Sequence, residues 1–285
     1  MIAGAGLPDP FLLSDTVTIA GNIHNGIHSY RNTTGRQRRS QVINPAQRTG
    51  ILFGVGQSFY SSVMPTLVVP ANAANIDNAN VHDGGFYDIV GPLLGTTYAL
   101  SLAPTLGPGN ALVLLADMLI ANGKFDRVII YSLSIGNTNM ESHGNDDGLY
   151  ADRFPVAMRR LASRGIVPGT PNLTMMMILS DGTRDYVDGT SQAVFAAAGT
   201  KFLSKVFATG FDGKVMICHE SLAGQTSNAI RSAQTSLING VNTYYGGDID
   251  STAITRTDGT HPDNAGGLVM ATANYNNMQA AGVFV

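Results

Sequence analysis

The sequence has little cysteine and little charge, and both shortages exclude classes of protein. Its single cysteine, Cys218, cannot form an intrachain disulfide or a cysteine-rich metal site. Because Cys218 follows an apolar run from Val215 to Ile217, we expect it to lie buried in a strand. Charged residues make up 13% of the chain, and the formal net charge is −3. This composition gives no electrostatic attraction to nucleic acid or to an anionic membrane, so neither is expected as a partner.

Long apolar runs are also missing. A membrane-spanning helix needs about 20 consecutive apolar residues, and no run approaches that length. The first twenty residues have no basic start and are interrupted by Asp9, Pro10 and Asp15, so they do not predict a signal peptide. Glycine is abundant, at 33 residues, and together with Asn, Ser and Thr it predicts many turns and a neutral polar surface. We therefore expect a soluble protein of a type found outside cells or in virions.

One short stretch predicts a strand that ends in a turn carrying a serine. Residues 51–55 (ILFGV) form an apolar run typical of a strand covered on both faces. Gly56 can adopt the backbone conformation of a tight strand-to-helix turn. A helix is predicted from Ser58 to Met64, ended by Pro65. Ser58 would then lie at the carboxyl edge of a sheet among free helix-start amides, which suits a nucleophile whose transition state carries an oxyanion. The alternative is an ordinary polar turn.

A second stretch, near the end of the chain, supplies the groups that such a serine needs. Residues 257–266 (TDGTHPDNAG) place Asp258 and His261 three residues apart in a turn-rich loop. A serine hydroxyl needs an adjacent base, and histidine titrates in the right range when a carboxylate fixes its tautomer. Asp258 and His261 can form that pair locally, with Gly259 and Pro262 stiffening the loop. The alternative here is an ordinary surface turn.

Together the two stretches resemble the SGNH hydrolase superfamily, and within it the sialate O-acetylesterase and carbohydrate esterase family 6 branch. The specific part of the resemblance is Gly-Gln-Ser at 56–58 and Asp-Gly-Thr-His-Pro at 258–262. Weaker likeness lies between them. Residues 136–138 (GNT) resemble the branch's Gly-Gly-Thr loop, and residues 229–234 (AIRSAQ) resemble its Arg-x-Ala-Gln helix. The likeness runs from about residue 50 to residue 267.

The resemblance implies a serine esterase that removes O-acetyl groups from a carbohydrate through an acyl-serine intermediate. Ser58 would be the nucleophile, His261 the base, and Asp258 the residue that orients the base. The N–H of Ser58 and the turn at Gly136 and Asn137 would hold the oxyanion. No metal or cofactor is expected, and the partner is an acetylated carbohydrate. A homo-oligomer or a larger assembly is compatible with the sequence.

One departure from the branch's pattern bears on activity. The branch carries a Gln-Gly-Glu-Ser-Asp segment after a central strand, and the aligned residues here are 181–185 (DGTRD). Asp181 thus replaces a glutamine that helps hold the oxyanion, and an ionised carboxylate cannot donate a hydrogen bond. Either Asp181 points elsewhere or Asn137 supplies the donor. Because losing one donor costs about 3–4 kcal/mol, a non-catalytic glycan-binding or assembly protein, such as a phage tail component, stays open as the alternative.

Further candidates for substrate contacts lie in the predicted strand-end connections, which usually border the ligand cleft of an α/β enzyme. They are Gln57, His82 and Asp181.

The order of predicted elements gives the fold class. Strands are predicted over residues 127–133, 173–179 and 214–218, and helices over 111–121, 153–164, 191–208, 226–238 and 267–281. This alternation predicts a single doubly wound, flavodoxin-like α/β domain at residues 50–285, with a mostly parallel sheet and helices on both faces. Residues 1–49 are predicted to be an N-terminal arm packed on that domain. The arm carries a cluster of arginines that predicts either a contact patch for an anionic polymer or neighbouring subunit, or a solvated loop: Arg31, Arg36, Arg38 and Arg39.

Overall fold

A computed structural model describes residues 16–19, 22–25, 28–29, 33–98, 107–145, 149–222 and 226–284. The strands are β1 (Thr16–Ile19), β2 (Asn22–Asn25), β3 (His28–Ser29), β4 (Thr49–Gly56), β5 (Ile76–Ala79), β6 (Phe86–Asp88), β7 (Thr97–Tyr98), β8 (Arg127–Ser132), β9 (Leu173–Ser180), β10 (Lys214–His219) and β11 (Thr243–Asp248). The helices are α1 (Ala111–Ala121), α2 (Met140–Gly144), α3 (Leu149–Ala162), α4 (Thr183–Asp188), α5 (Gln192–Ala208), α6 (Asn228–Ser236) and α7 (Asn264–Ala280).

The main sheet has seven strands in the order β11-β10-β9-β4-β8-β5-β6. All neighbouring pairs are parallel except β5 and β6, which are antiparallel. Strand β4 lies in the middle and is buried along its whole length. The predicted fold class, a doubly wound and mostly parallel α/β domain, is confirmed.

Successive residues of β4 face opposite sides of the sheet, and each side carries its own core. Ile51 and Phe53 pack in the cluster that includes residues of α3, α5 and α6, whereas Leu52 packs in the cluster that includes residues of α1 and α7. Gly54 lets α1 approach closely, because a Cβ at that position would overlap the side chain of Leu112. Burial on both faces explains why β4 reads as a continuous apolar run.

The turn after β4 differs from the sequence prediction. A 3-10 helix covers only Ser58–Tyr60, and Ser61 is already extended. The predicted helix to Met64 is therefore wrong. The physical reason is that Met64 forms a bridge with Gly109, in which Gly109 N–H donates to the Met64 carbonyl at 3.1 Å and Met64 N–H donates back at 3.2 Å.

Residues 33–48 contact the far edge of the sheet. Arg36 donates to the carbonyl of Val90 at 2.7 Å, and Arg39 N–H donates to the carbonyl of Phe86 at 2.9 Å. Arg127 of β8 donates in turn to the carbonyl of Val42 at 2.9 Å. Arg38 forms a backbone bridge with Tyr87 of β6, so all three described arginines of the predicted cluster contact the domain. Arg31 lies outside the described residues.

Candidate active site

The carboxyl ends of the central strands border a cleft of about 260 Å³. The edge where parallel strands end is the usual place for ligands in such a fold. The residues that line the cleft come from the segments that follow β4 and β8, from α4, and from the loop before α7. They are Gln57, Ser58, Gly136, Asn137, Thr183, Arg184, Val187, Asp258, Thr260 and His261.

Ser58 is held in the cleft by a glycine turn. Gly56 has φ +122°, and a Cβ there would overlap the carbonyl of Ser180 on the neighbouring strand β9. Only glycine therefore allows the chain to turn so close to β9. The next residue is anchored by its N–H, since Gln57 donates to the Ser180 carbonyl at 3.0 Å. Ser58 then begins the 3-10 helix, 7% exposed.

Asp258 and His261 form a hydrogen-bonded pair that also lines the cleft. His261 Nδ1 lies 2.7 Å from Asp258 Oδ2, and the backbone N–H of His261 donates to Asp258 Oδ1 at 2.6 Å. Partial burial alone would raise the pKa of Asp258, but the hydrogen bonds from His261 and from Thr260 N–H outweigh it and lower that pKa below its ordinary value. Because the ionised carboxylate accepts at Nδ1–H, Nε2 is the ring nitrogen available to take a proton.

The fold thus brings together groups that are about two hundred residues apart in the sequence. Ser58 and the pair Asp258–His261 line the same cleft, as do the predicted oxyanion residues Gly136 and Asn137. The His261 ring lies beside that of Phe59, with ring centroids 6.0 Å apart. This set can act as nucleophile, base and orienting carboxylate in one place.

The turn after β8 is fixed against the end of β4. Ile135 N–H donates to the carbonyl of Gly56 at 2.8 Å. Asn137 has φ +67°, a left-handed conformation that asparagine tolerates better than most residues. Arg184 Nη1 lies 3.5 Å from Asn137 Oδ1. With its oxygen towards Arg184, the Asn137 amide keeps its nitrogen as a donor for a ligand in the cleft.

Asp181 is not brought to the cleft. Its side chain is buried, with Oδ2 at 3.1 Å from His143 Nε2, and it lies in the interior near Cys218 and Gln234. Burial raises the pKa of Asp181 well above its ordinary value, and burial lowers the pKa of His143 to about 4. The charge repulsion expected from an aspartate beside the oxyanion therefore does not arise in the cleft.

Of the two other residues predicted to contact substrate, one lines the cleft and the other does not. His82 is not among the cleft residues, and its backbone N–H donates to Asn80 at 3.1 Å. Gln57 does line the cleft, but its amide nitrogen donates to the buried carboxyl of Glu220. Cys218 lies buried in β10, which confirms that prediction.

Sequence reasoning missed Arg184, Val187 and Glu220. Arg184 and Val187 lie on α4, a helix of six residues that is too short to produce a clear periodic pattern. Glu220 directly follows β10, so its signal is the same as that of Ser58, a polar residue after a strand end. Within the described ranges there is no group of three or more His, Cys, Asp or Glu side chains placed to hold a metal ion.

Comparisons with known proteins bear on the fold. No family model and no curated protein matches the sequence. Among solved structures, a protein from Arabidopsis thaliana is similar with a TM-score of 0.60 and 11% identity, covering 81% of this chain and 97% of that one. A putative GDSL-like lipase from Parabacteroides merdae is similar with a TM-score of 0.51 and 14% identity over 85% and 99% of the two chains. NanS is similar with a TM-score of 0.51 and 12% identity over 84% and 98%.

These similarities place the chain among α/β proteins that share the fold of GDSL-like lipases. In the described parts of the chain, no helix has both the length and the apolar character needed to span a membrane.

Proposed function

We infer that the protein is a serine esterase that removes O-acetyl groups from a carbohydrate. The observation that carries this proposal is the 2.7 Å contact between His261 Nδ1 and Asp258 Oδ2 on the wall of the cleft that also contains Ser58. A histidine oriented in this way beside a serine at a strand-to-helix turn is the arrangement that activates a hydroxyl.

In the proposed reaction, Ser58 Oγ attacks the ester carbonyl while His261 Nε2 takes the hydroxyl proton. The backbone N–H of Ser58, the turn at Gly136 and the amide nitrogen of Asn137 stabilise the negative charge on the carbonyl oxygen. His261 then gives the proton to the leaving sugar oxygen, and an acetyl-serine forms. Water, deprotonated by His261, attacks this ester and releases acetate and free Ser58. Asp258 keeps the imidazole in one tautomer throughout.

Two considerations support a short acyl group on a sugar. The cleft of about 260 Å³ is below the roughly 300–1,000 Å³ of pockets that enclose drug-sized ligands, so it suits a small acyl group better than a long chain. The carbohydrate rests on the resemblance of residues 56–58 and 258–262 to the carbohydrate esterase branch. Asp181 does not argue against catalysis, because its side chain is buried and is not among the residues that line the cleft.

The test compares hydrolysis of p-nitrophenyl acetate by the wild type and by Ser58→Ala. We expect the variant to lose nearly all activity above background, while Ser204→Ala, a serine on the exposed side of α5, keeps the wild-type rate. A series of longer p-nitrophenyl esters should show falling kcat/KM as the acyl chain grows. Release of acetate from acetylated polysaccharides then identifies the sugar.

Equal rates for the wild type and Ser58→Ala would remove the esterase proposal. Binding of glycans by a chain that releases no acetate would favour the alternative of a non-catalytic glycan-binding or assembly protein.

A further inference from the structure

A buried carboxyl group contacts the residue that precedes the proposed nucleophile. Glu220 follows β10, and its residue is 0% exposed. Oε1 accepts hydrogen bonds from Gln57 Nε2 and, at 3.2 Å, from the N–H of Thr183. Oε2 forms a hydrogen bond with the hydroxyl of Ser180. One side chain therefore joins the ends of β4, β9 and β10, and two of its partners, Gln57 and Thr183, line the cleft.

The position of Glu220 is itself fixed by α6. Its N–H donates to Gln234 Oε1 at 3.1 Å, and its carbonyl accepts from Gln234 Nε2 at 2.6 Å. Gln234 Nε2 also donates to the carbonyl of Asp181 at 2.8 Å. Gln57, Ser180 and Gln234 are buried, and each is hydrogen-bonded to the buried Glu220. A buried side chain held in this way has little freedom, so the carboxyl group of Glu220 is a fixed point next to the cleft.

Gln57 transmits that rigidity to Ser58. Its N–H is held by Ser180, its side chain by Glu220, and its carbonyl accepts from Ser61 Oγ at 3.3 Å. With three groups of Gln57 anchored, the next peptide unit, which carries the N–H of Ser58, has little freedom to rotate. The proposed reaction leaves Glu220 without a role, although Glu220 contacts both Gln57 and Thr183.

We propose that Glu220 is a positioning residue, which through Gln57 and Thr183 holds the Ser58 N–H and hydroxyl in the orientation needed for attack and for oxyanion binding. The proposal rests on the esterase function only for its kinetic consequence. Its structural part, that Glu220 immobilises the turn at residues 56–61, holds or fails independently of that function.

Two substitutions of Glu220 test its hydrogen bonds, because one removes the acceptor oxygens and the other keeps an acceptor. Glu220→Met has a similar length but no hydrogen-bonding oxygen, so Gln57 Nε2 and Thr183 N–H lose their acceptor. Glu220→Gln keeps an acceptor for both, and its amide nitrogen can donate to the Ser180 hydroxyl, which is able to accept. We therefore expect Glu220→Gln to rescue what Glu220→Met loses.

The experiment measures hydrogen exchange of the segment 55–62 together with p-nitrophenyl acetate kinetics. In Glu220→Met we expect faster exchange of this segment and a kcat at least about tenfold lower with KM within about threefold, because a misplaced nucleophile affects the chemical step. Glu220→Gln should stay within about threefold of the wild type in kcat. Leu119→Ala, a core truncation in α1, controls for general destabilisation and should leave both readouts unchanged at a temperature where it is folded.

Unchanged exchange of residues 55–62 in Glu220→Met would overturn the proposal, as would an equal loss of kcat in Glu220→Gln. If Glu220→Met does not fold, Gln57→Met removes the same hydrogen bond from the other side and is expected to give the same two changes, so its failure to do so also overturns the proposal. A wild type without esterase activity would instead contradict the proposed function, while the exchange measurement still decides the role of Glu220.

Discussion

His261 is the residue that connects the two halves of the proposed catalytic group. Its Nδ1 side is occupied by Asp258, and its backbone N–H is bound by the same carboxylate. The loop that carries both residues is short, so a local hydrogen bond sets the ring orientation without help from distant parts of the chain. Single substitutions in this loop should therefore change the chemistry more than the stability.

Asp258→Asn tests the orienting carboxylate. The amide cannot reproduce a carboxylate that accepts from both Nδ1–H and the backbone, so we expect kcat for p-nitrophenyl acetate to fall by roughly a hundred- to ten-thousand-fold, with little change in Tm. The matched control is Asp212→Asn, whose carboxylate binds the N–H of Gly169 away from the cleft. A loss of less than about threefold in Asp258→Asn would contradict the assigned role.

Asn137→Gly tests the side-chain donor on the oxyanion side. Glycine adopts the observed φ of +67° at least as easily, so only the amide group is lost. Removal of one oxyanion donor is expected to lower kcat by roughly a hundred- to a thousand-fold with KM nearly constant. Steady-state kinetics on an acetyl ester give both constants. A kcat within about twofold of the wild type would show that the backbone amides act without Asn137.

Asp181→Asn tests the burial of carboxyl groups beneath the cleft. Burial raises the pKa of Asp181. The pKa of Asp185 is raised to about 8, first by burial and second by the negative charge of Asp181. An acid whose pKa is higher in the folded state stabilises the fold at low pH and loses that contribution as pH rises through the folded pKa. Asp181→Asn should therefore raise Tm at pH 8 by at least about 2 °C.

The gain in Tm from Asp181→Asn should shrink as pH falls below the ordinary aspartate pKa of 3.8, because the wild-type group is then protonated in both states. Thermal unfolding across this pH range measures it. A variant less stable than the wild type at pH 8 would mean that Asp181 is charged and paired in the folded chain. A gain that does not change with pH would contradict a raised pKa of Asp181.

At the scale of elements, the contact between β4 and α1 depends on a missing side chain. A Cβ at Gly54 would overlap the Leu112 side chain, which is itself 0% exposed. We expect Gly54→Ala to cost about 1–3 kcal/mol of unfolding free energy, the usual range for overpacking. In the Leu112→Ala background, where space has been created, the same substitution should cost much less. Denaturant unfolding of the two single variants and the double variant measures the difference, and simple additivity would contradict it.

Elements with strong local signals could be predicted from the sequence. Helix α1 spans the predicted residues 111–121, and its start is marked by Asn110, whose side chain accepts from the N–H of Leu112. Strands β8, β9 and β10 begin at the predicted residues because each is an apolar run buried in the sheet. The prediction of a helix from Ser58 to Met64 was wrong because Gly109, which is distant in the sequence, forms hydrogen bonds with the backbone of Met64.

Strands β5 and β6 could not be predicted for a related reason. Residues 76–79 (IDNA) carry two polar residues that are buried, and the sequence shows neither an apolar run nor an alternation. Asp77 is tolerated there because Arg127 Nε donates to it at 2.7 Å, and Asn78 donates to the carbonyl of Leu94 at 3.3 Å. Such partners come from other elements, so local pattern cannot reveal them.

At the scale of the whole molecule, the placement of the site follows from one topological rule. Parallel strands end at a common edge, and this rule alone predicts that residues after β4 and β8 meet. It does not predict where a given side chain at that edge points. Asp181 follows β9 and yet faces the interior, because His143 of α2 lies on that side. Predicting its direction requires the packing of α2, a helix of only five residues that gives little periodic signal.

Activation of Ser58 by His261 is tested most directly by covalent labelling of the native chain with a fluorophosphonate, followed by peptide mass spectrometry to locate the modified residue. We predict that the label is found on Ser58 in the wild type and that its rate of attachment falls at least about a hundredfold in His261→Ala, which lacks the base. Labelling of another residue, or equal rates of Ser58 labelling with and without the imidazole, would contradict the activation of Ser58 by His261.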